Sequence, residues 1–241
     1  MPAMKAGQNK VAVITGGGRG IGLALARAFA HKGYAVVITG RDLKRLQAAT
    51  AELQKNRVSV TALACDVREP ASVKQLFEDI GKRHATIDVL VNNAGVAHVL
   101  APVDQLPVET WKEIIDTNLT GTFLVTRAAL PLMHAGSTIV NNLSVAAVQP
   151  FVGMSAYNAS KFGAMGFTQA LREDVRKRGI RVLALLPGAT DTDIWNQFWP
   201  DAPRQKMMSA ETVADAVLLA VTVPANASID EIRLGPAAGV L

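Results

Sequence analysis

Cysteine is nearly missing from this 241-residue chain: Cys65 is the only one. A lone thiol excludes an internal disulfide and a thiolate metal cluster. The four histidines, His31, His84, His98 and His134, show no metal-ligand spacing, so no metal is expected. No apolar run reaches the roughly 18 residues of a membrane span, and no charged start leads into an apolar stretch as in a signal peptide. These absences predict a cytoplasmic protein without a membrane partner. The formal charge is +5, yet the basic residues are scattered (Lys10, Arg27, Lys44, Arg83, Lys112, Arg172, Lys177). No basic run is interleaved with aromatics, which argues against nucleic acid as a partner. A modest positive balance suits an anionic small molecule.

What the chain has is apolar residues, 49% of the total, enough for one well-buried domain over 1–241. They fall into an alternating rhythm. Short β-branched runs at 10–15, 34–40, 58–64, 87–92, 138–142, 180–188 and 229–234 read as strands. Segments 21–31, 42–55, 70–83, 108–134, 155–178 and 210–221 read as helices. The strands are apolar throughout, as expected when both sheet faces are covered. The pattern predicts an α/β fold: a doubly wound parallel sheet of seven strands flanked by helices on both faces.

Thr15-Gly16-x-x-x-Gly20-x-Gly22 lies between the first strand and the first helix. A helix N-terminus offers unpaired N–H groups and a positive dipole end, which favour an anion. Glycines, Gly18 among them, let a pyrophosphate approach the backbone; Ile21 opens the helix behind them. The blander alternative is a flexible turn. A dinucleotide site of the NAD type commonly has an acid at the end of the second strand. Here that slot is Gly40, followed by Arg41. A guanidinium pairs with a 2′-phosphate, and Arg19 can reach the same group, so the pair argues for NADP(H). Asp42, one place on, reads as a helix N-cap and is the residue best able to oppose this. Asp66 and Val67, after the third strand, are placed to meet an adenine, unless Asp66 is only a surface turn.

Tyr157 and Lys161 stand four apart on a predicted helix and share a face, a pairing that helices also carry by accident. A phenol with a pKa near ~10 is a poor acid–base group at neutral pH; a neighbouring ammonium favours the phenolate and lowers that value. Ser144 follows a strand end, where such sheets place ligands. Asn118 is an amide in an otherwise apolar helix, which a kinked turn would also explain.

TGGGRGIG, Asp66, NNAG at 92–95, Asn118, Ser144, YNASK at 157–161 and Pro187-Gly188 stand in the order and spacing of the short-chain dehydrogenase/reductase superfamily, which the whole chain resembles. The resemblance implies a Rossmann domain carrying hydride between a nicotinamide and a carbonyl or alcohol. It implies Tyr157 as general acid or base, Lys161 lowering its pKa and holding the nicotinamide ribose, Ser144 orienting the carbonyl, and Asn118 holding a relay water. Asn92, with Ala94 and Gly95, would line the cofactor and brace the central sheet. Asn93 would join them at the cofactor; Pro187, Gly188, Thr190 and Thr192 would lie on its nicotinamide and phosphate side. It further implies a homo-oligomer, dimer or tetramer.

Aromatics are only 5% of the chain, yet Trp195, Phe198 and Trp199 fall within five residues. Segment 189–209 is expected to cover a substrate, although the tryptophans also suit a core or an interface. With His98, Val145, Phe151 and Met154 they predict a largely apolar pocket for a small carbonyl or alcohol. Arg204 and Lys206 are candidates for an acidic substrate group, if not simply solvated. The chain end lacks the Asp-Gly-Gly turn of many similar 3-oxoacyl-[acyl-carrier-protein] reductases, which leaves that activity as the alternative. A non-catalytic dinucleotide sensor is the third reading.

Overall fold

The computed structural model describes residues 10–55 and 58–239. Val11–Thr15 (β1) is buried along its whole length, and its side chains alternate between two cores. Ala12 and Ile14 meet one apolar cluster, Val11 and Val13 the other. That period of two is what a strand covered on both faces must show. Strands β2 (Ala35–Gly40), β3 (Val60–Ala64), β4 (Ile87–Asn92), β5 (Met133–Asn142), β6 (Arg181–Pro187) and β7 (Glu231–Leu234) complete a sheet of order β3-β2-β1-β4-β5-β6-β7. Every pairing is parallel.

Helices α1 (Gly20–His31), α2 (Leu43–Gln54) and α7 (Ala210–Val221) cover one face through Leu25, Phe29, Leu46, Leu53, Val213 and Val217. Helices α3 (Pro70–Arg83), α5 (Gly121–Ala129) and α6 (Ser155–Arg176) cover the other through Val73, Phe77, Ile80, Val125, Leu171 and Val175. The chain order reverses between β1 and β4. Their carboxyl ends therefore diverge and leave a crevice, which fixes where a ligand can bind.

The expected helix over 108–134 is divided. It contains α4 (Val108–Ile115), a π turn at Asp116–Thr120, α5, and a 3₁₀ turn at Leu130–Leu132. Pro131 in that last turn cannot continue an α-helix. The chain then passes directly into β5, which begins at Met133 rather than 138, with a register irregularity opposite β4 and Gly136 at φ +95°. Elsewhere the strands and helices start or stop within a few residues of the expected limits. Asp42 caps α2, and Gly179, at φ +70°, follows the end of α6.

A polar chain runs through the second face. Asn92 Nδ2 donates to Thr126 Oγ1 of α5 and to Asn141 Oδ1 of β5, both at 2.8 Å. Asn141 Nδ2 donates to Thr168 Oγ1 of α6 at 2.9 Å, and Thr168 donates back to Ala164 O. All four side chains are buried. They tie both helices to the centre of the sheet; Asn92 braces it and, against expectation, does not line the crevice.

Gly22 is a packing residue, not a cleft residue. A Cβ there would lie 2.3 Å from Gly16 O and 2.5 Å from Asn93 Nδ2. The first turn of α1 sits that close to the end of β1. Gly22→Ala is expected to lower unfolding free energy by about 1–3 kcal/mol, the cost of overpacking a rigid contact. Denaturant titration checks it; an unchanged midpoint would show that the loop yields freely.

Candidate active site

A cleft of about 680 Å³ opens at the carboxyl ends of the strands. One wall is the loop Gly16–Gly18–Arg19–Gly20, with Ile21 behind it. Gly16 and Gly20 adopt φ +64° and +51°, a region that glycine enters without penalty. Gly17 lies against Ile38, where a Cβ would approach to 2.6 Å. Arg19 occupies the N-cap position of α1 but makes no side-chain cap, and the first turn carries no acid. The helix start therefore keeps N–H groups for an anion. This glycine cradle and uncapped helix fit the pyrophosphate of a dinucleotide.

Asn93 secures the floor. Its Nδ2 donates to Thr15 O and Gly16 O, while its Oδ1 accepts from Asn142 Nδ2 at 2.8 Å. Thr15 Oγ1 accepts from the backbone N–H groups of Asn93 and Ala94, both at 2.9 Å. Asn93, Ala94 and Gly95 line the cleft as expected, and so do Pro187, Gly188, Thr190 and Thr192. Thr190 is buried and donates to Gly188 O, and the Thr192 methyl rests against Gly20.

At the adenosine end the charges differ from the expectation of two unopposed cations. Arg19 lies 3.6 Å from Asp193, and Arg41 lies 3.8 Å from Glu113. Both pairs are about half exposed, so each is worth at most about 1 kcal/mol. A bound phosphate making charge-assisted bonds outcompetes such contacts. Glu113 was invisible to local reading because α4 brings it in from 72 residues away. Asp66 and Val67 line the cleft. Asp66 is already gripped by Arg68, whose Nη2 lies 2.6 Å from Oδ2 and whose Nε lies 3.0 Å from Oδ1. Hydrogen bonding from Arg68 holds the Asp66 carboxyl below its ordinary range.

At the other end Ser144, Tyr157 and Lys161 converge. Ser144 follows β5 and accepts from Ala146 N at 3.1 Å. Its side chain lies beside the Tyr157 phenol, and both line the cleft. Lys161 Nζ lies 5.5 Å from the centre of the Tyr157 ring and donates to Asn142 O at 3.0 Å. Burial, partly offset by the Ser144 hydroxyl, pushes the Tyr157 phenol above its usual value. This corrects the expected lowering. The ammonium beside it is itself desolvated, and burial brings Lys161 down to about 8.

Asn118 sits in the π turn rather than in a regular helix. The wider turn is a common device at functional sites. Its Oδ1 accepts from Val96 N at 2.9 Å, and its Nδ2 donates to Val96 O and Ser160 Oγ, both at 3.0 Å. Asn118 and Lys161 flank Gly95 from two sides.

Val145, Phe151, Met154, Trp195 and Trp199 line the expected substrate half. His98 does not: it is buried outside the cleft lining, its ring Nδ1 bonded to Val99 O at 2.8 Å. Arg204 does not face the cleft either. It bonds Asp191 Oδ1, Thr192 O and Asn196 Oδ1, which pins the cover segment instead of presenting a free cation. Trp195 Nε1 donates to Thr190 O, and the two tryptophan rings are 6.2 Å apart. Leu100, Val152 and Arg45 are among the lining residues that carry no site assignment from sequence. Leu100 and Val152 come from loops without periodicity. Arg45 had a signal, its place four residues after Arg41 at a helix start.

The family described as short chain dehydrogenase matches residues 10–203. The chain is 34% identical over 237 residues to sulfoacetaldehyde reductase 2 of Chromohalobacter salexigens, covering 94% of each sequence. Its structure is similar to that of an alcohol dehydrogenase from the archaeon Thermococcus sibiricus complexed with 5-hydroxy-NADP. The TM-score is 0.88 at 28% identity, over 96% of this chain and 98% of that one. It is also similar to the closed form of serine dehydrogenase complexed with NADP+, with TM-score 0.87 and 30% identity over 96% of each chain.

The depressed Lys161 value predicts a pH dependence of stability. Below pH 8 the amine is charged in both the folded and unfolded states, and its desolvation penalty is fully present. Between about 8 and 10.5 the folded state releases the proton first, so stability rises with pH. The rise attributable to Lys161 is about 3 kcal/mol. Unfolding free energies of the ligand-free parent minus those of Lys161→Met, measured across that window, should show it; a flat difference would contradict it.

Proposed function

The chain belongs to the short chain dehydrogenase family and is an oxidoreductase, and on that premise we propose that it is an NADPH-dependent carbonyl reductase, working reversibly as an alcohol dehydrogenase. The observation that carries this is the Tyr157 phenol, set beside Ser144 and neighboured by the Lys161 ammonium on the wall of a dinucleotide-sized cleft. Residues 10–239 act as one dinucleotide-binding unit, with 189–209 as its cover.

Gly16, Gly18, Gly20 and Ile21 would hold the pyrophosphate at the start of α1. Arg19 and Arg41 would hold the 2′-phosphate, and Asp66 and Val67 the adenine. Asn93, Ala94, Gly95, Pro187, Gly188, Thr190 and Thr192 would hold the nicotinamide half. When bound, NADPH supplies the hydride. Tyr157 donates the proton to the carbonyl oxygen. Burial keeps the phenol protonated and ready to give. Ser144 orients that oxygen beside Tyr157. The Lys161 ammonium stabilises the phenolate as it forms. Asn118 holds the loop after β4 through Val96. Its backbone carbonyl accepts from Thr122 Oγ1 and keeps a second lone pair for a relay water.

The substrate half supports an uncharged, apolar substrate. Leu100, Val152 and Trp199 line the cleft yet stay 48%, 97% and 41% exposed, an apolar lip on which a hydrocarbon tail would lie. Arg204 is not free to meet an anionic group. The 3-oxoacyl-carrier-protein alternative needs a basic docking patch; of its two candidate members, Arg172 is already bonded to Val182 O and Asp230 O, which leaves only Arg127 exposed on its helix. Exposed Trp111, Phe123 and Phe162, on the helices next to Asn118 and Tyr157, support a homo-oligomer.

A panel of ketones, aldehydes and 3-oxoacyl thioesters with NADPH, followed at the reduced-nicotinamide absorbance, tests the activity. Apolar ketones are expected to turn over, better as the tail lengthens; sulfonated and carboxylated aldehydes are not. Tyr157→Phe is expected to lose at least about 10²-fold in rate while still binding NADPH. Unchanged turnover would remove Tyr157 from the chemistry. Arg41→Ala is expected to weaken NADPH, and not NADH, by about 1.5–3 kcal/mol. An equal loss for both would mean that Arg41 does not read the 2′-phosphate.

A further inference from the structure

Asp42 lines the cleft immediately after Gly40 and Arg41. A carboxylate there favours ribose hydroxyls and repels a 2′-phosphate, the opposite of what the two arginines favour. The structure shows what is done with that charge. Asp42 Oδ1 accepts from the Arg45 backbone N–H at 3.0 Å, capping α2. Its other oxygen lies 3.7 Å from Arg45 Nε. Both carboxylate oxygens are thus turned toward one residue.

Arg45 itself lies on the glycine loop. A Cβ on Gly18 would come 3.4 Å from its Cγ and 3.7 Å from its Cδ. The stem packs against the loop, and Arg45 lines the cleft together with Arg19, Arg41 and Asp42. Arg19 leans toward Asp193 and Arg41 toward Glu113. Among the described residues, Arg45 is the cation paired with Asp42.

We infer that Arg45 sets the preference for NADPH over NADH by masking the Asp42 carboxylate. This rests on the NADPH reading above and adds a positioning residue to it. An exposed Asp–Arg pair three residues apart adds little to fold stability, so the pair can be opened without unfolding the chain. Asn is as good an N-cap as Asp, so the charge at 42 can be removed while the cap stays.

Fluorescence titration of the whole protein with NADPH and with NADH tests this. Arg45→Gln is expected to raise the NADPH Kd about 10-fold and change the NADH Kd less than 2-fold. Adding Asp42→Asn to Arg45→Gln should recover at least half of the loss, on a logarithmic scale. An equal shift for both cofactors overturns the inference, because Arg45 would then only be part of the scaffold. A selective loss that Asp42→Asn does not recover also overturns it, since Arg45 would contact the phosphate rather than mask the acid. Failure of the NADPH reading looks different: the parent would show no preference, and Arg41→Ala would not weaken NADPH selectively.

Discussion

The cross-strand pair Asn92–Asn141, with Thr126 and Thr168 at its ends, is the contact on which the chemical end of the molecule depends. All four side chains are buried, where an amide N–H left unpaired would cost roughly 1–3 kcal/mol. Hydrophobic packing is non-directional and would tolerate a slide or rotation of either helix. A hydrogen bond is not so tolerant. Thr126 is on the helix that follows Asn118, and Thr168 lies two turns beyond Lys161. The chain Thr126–Asn92–Asn141–Thr168 therefore fixes the register of both helices against the strand ends.

From that anchor the reacting groups follow. With α6 fixed, Lys161 reaches Asn142 O and Tyr157 reaches Ser144. With the π turn fixed, Asn118 meets Ser160, whose hydroxyl donates to Tyr157 O at 2.7 Å. Burial then acts on both titrating groups, raising the phenol and lowering the amine. Desolvation disfavours whichever form is charged, so the ligand-free site holds a neutral phenol beside a weakened ammonium. The adenosine end works by opposite means. Its cations are exposed, and each lies near an acid in a weak, solvent-screened pair.

Much of this was legible in the chain. The seven strands and their parallel arrangement followed from apolar runs that alternate with helical periods. The glycine loop was readable because a strand and a helix flank it. Tyr157 and Lys161 were readable because a spacing of four fixes a shared helix face. The errors have physical causes. The helix over 108–134 was drawn unbroken because a π turn keeps nearly the same apolar periodicity. The expectation for His98 as a pocket wall fails, and the sequence leaves Arg204 undecided between an acidic substrate group and solvent, because loop residues have no period from which to infer a direction. The Tyr157 shift had the wrong sign because a neighbouring charge is visible in sequence and burial is not.

The sequence by itself determined which residue types are available and on which local face each stands: the glycines at a helix start, the phenol and amine one turn apart, the arginines after the second strand. These depend on interactions within a few residues, and local geometry transmits them reliably. Only the tertiary structure decided what opposes each charge. Glu113 beside Arg41, Asp193 beside Arg19, the desolvation of Lys161 and the apolar lip of Leu100 and Val152 all join segments far apart in the chain. Electrostatic energy and burial depend on distance in space, and folding alone sets that distance.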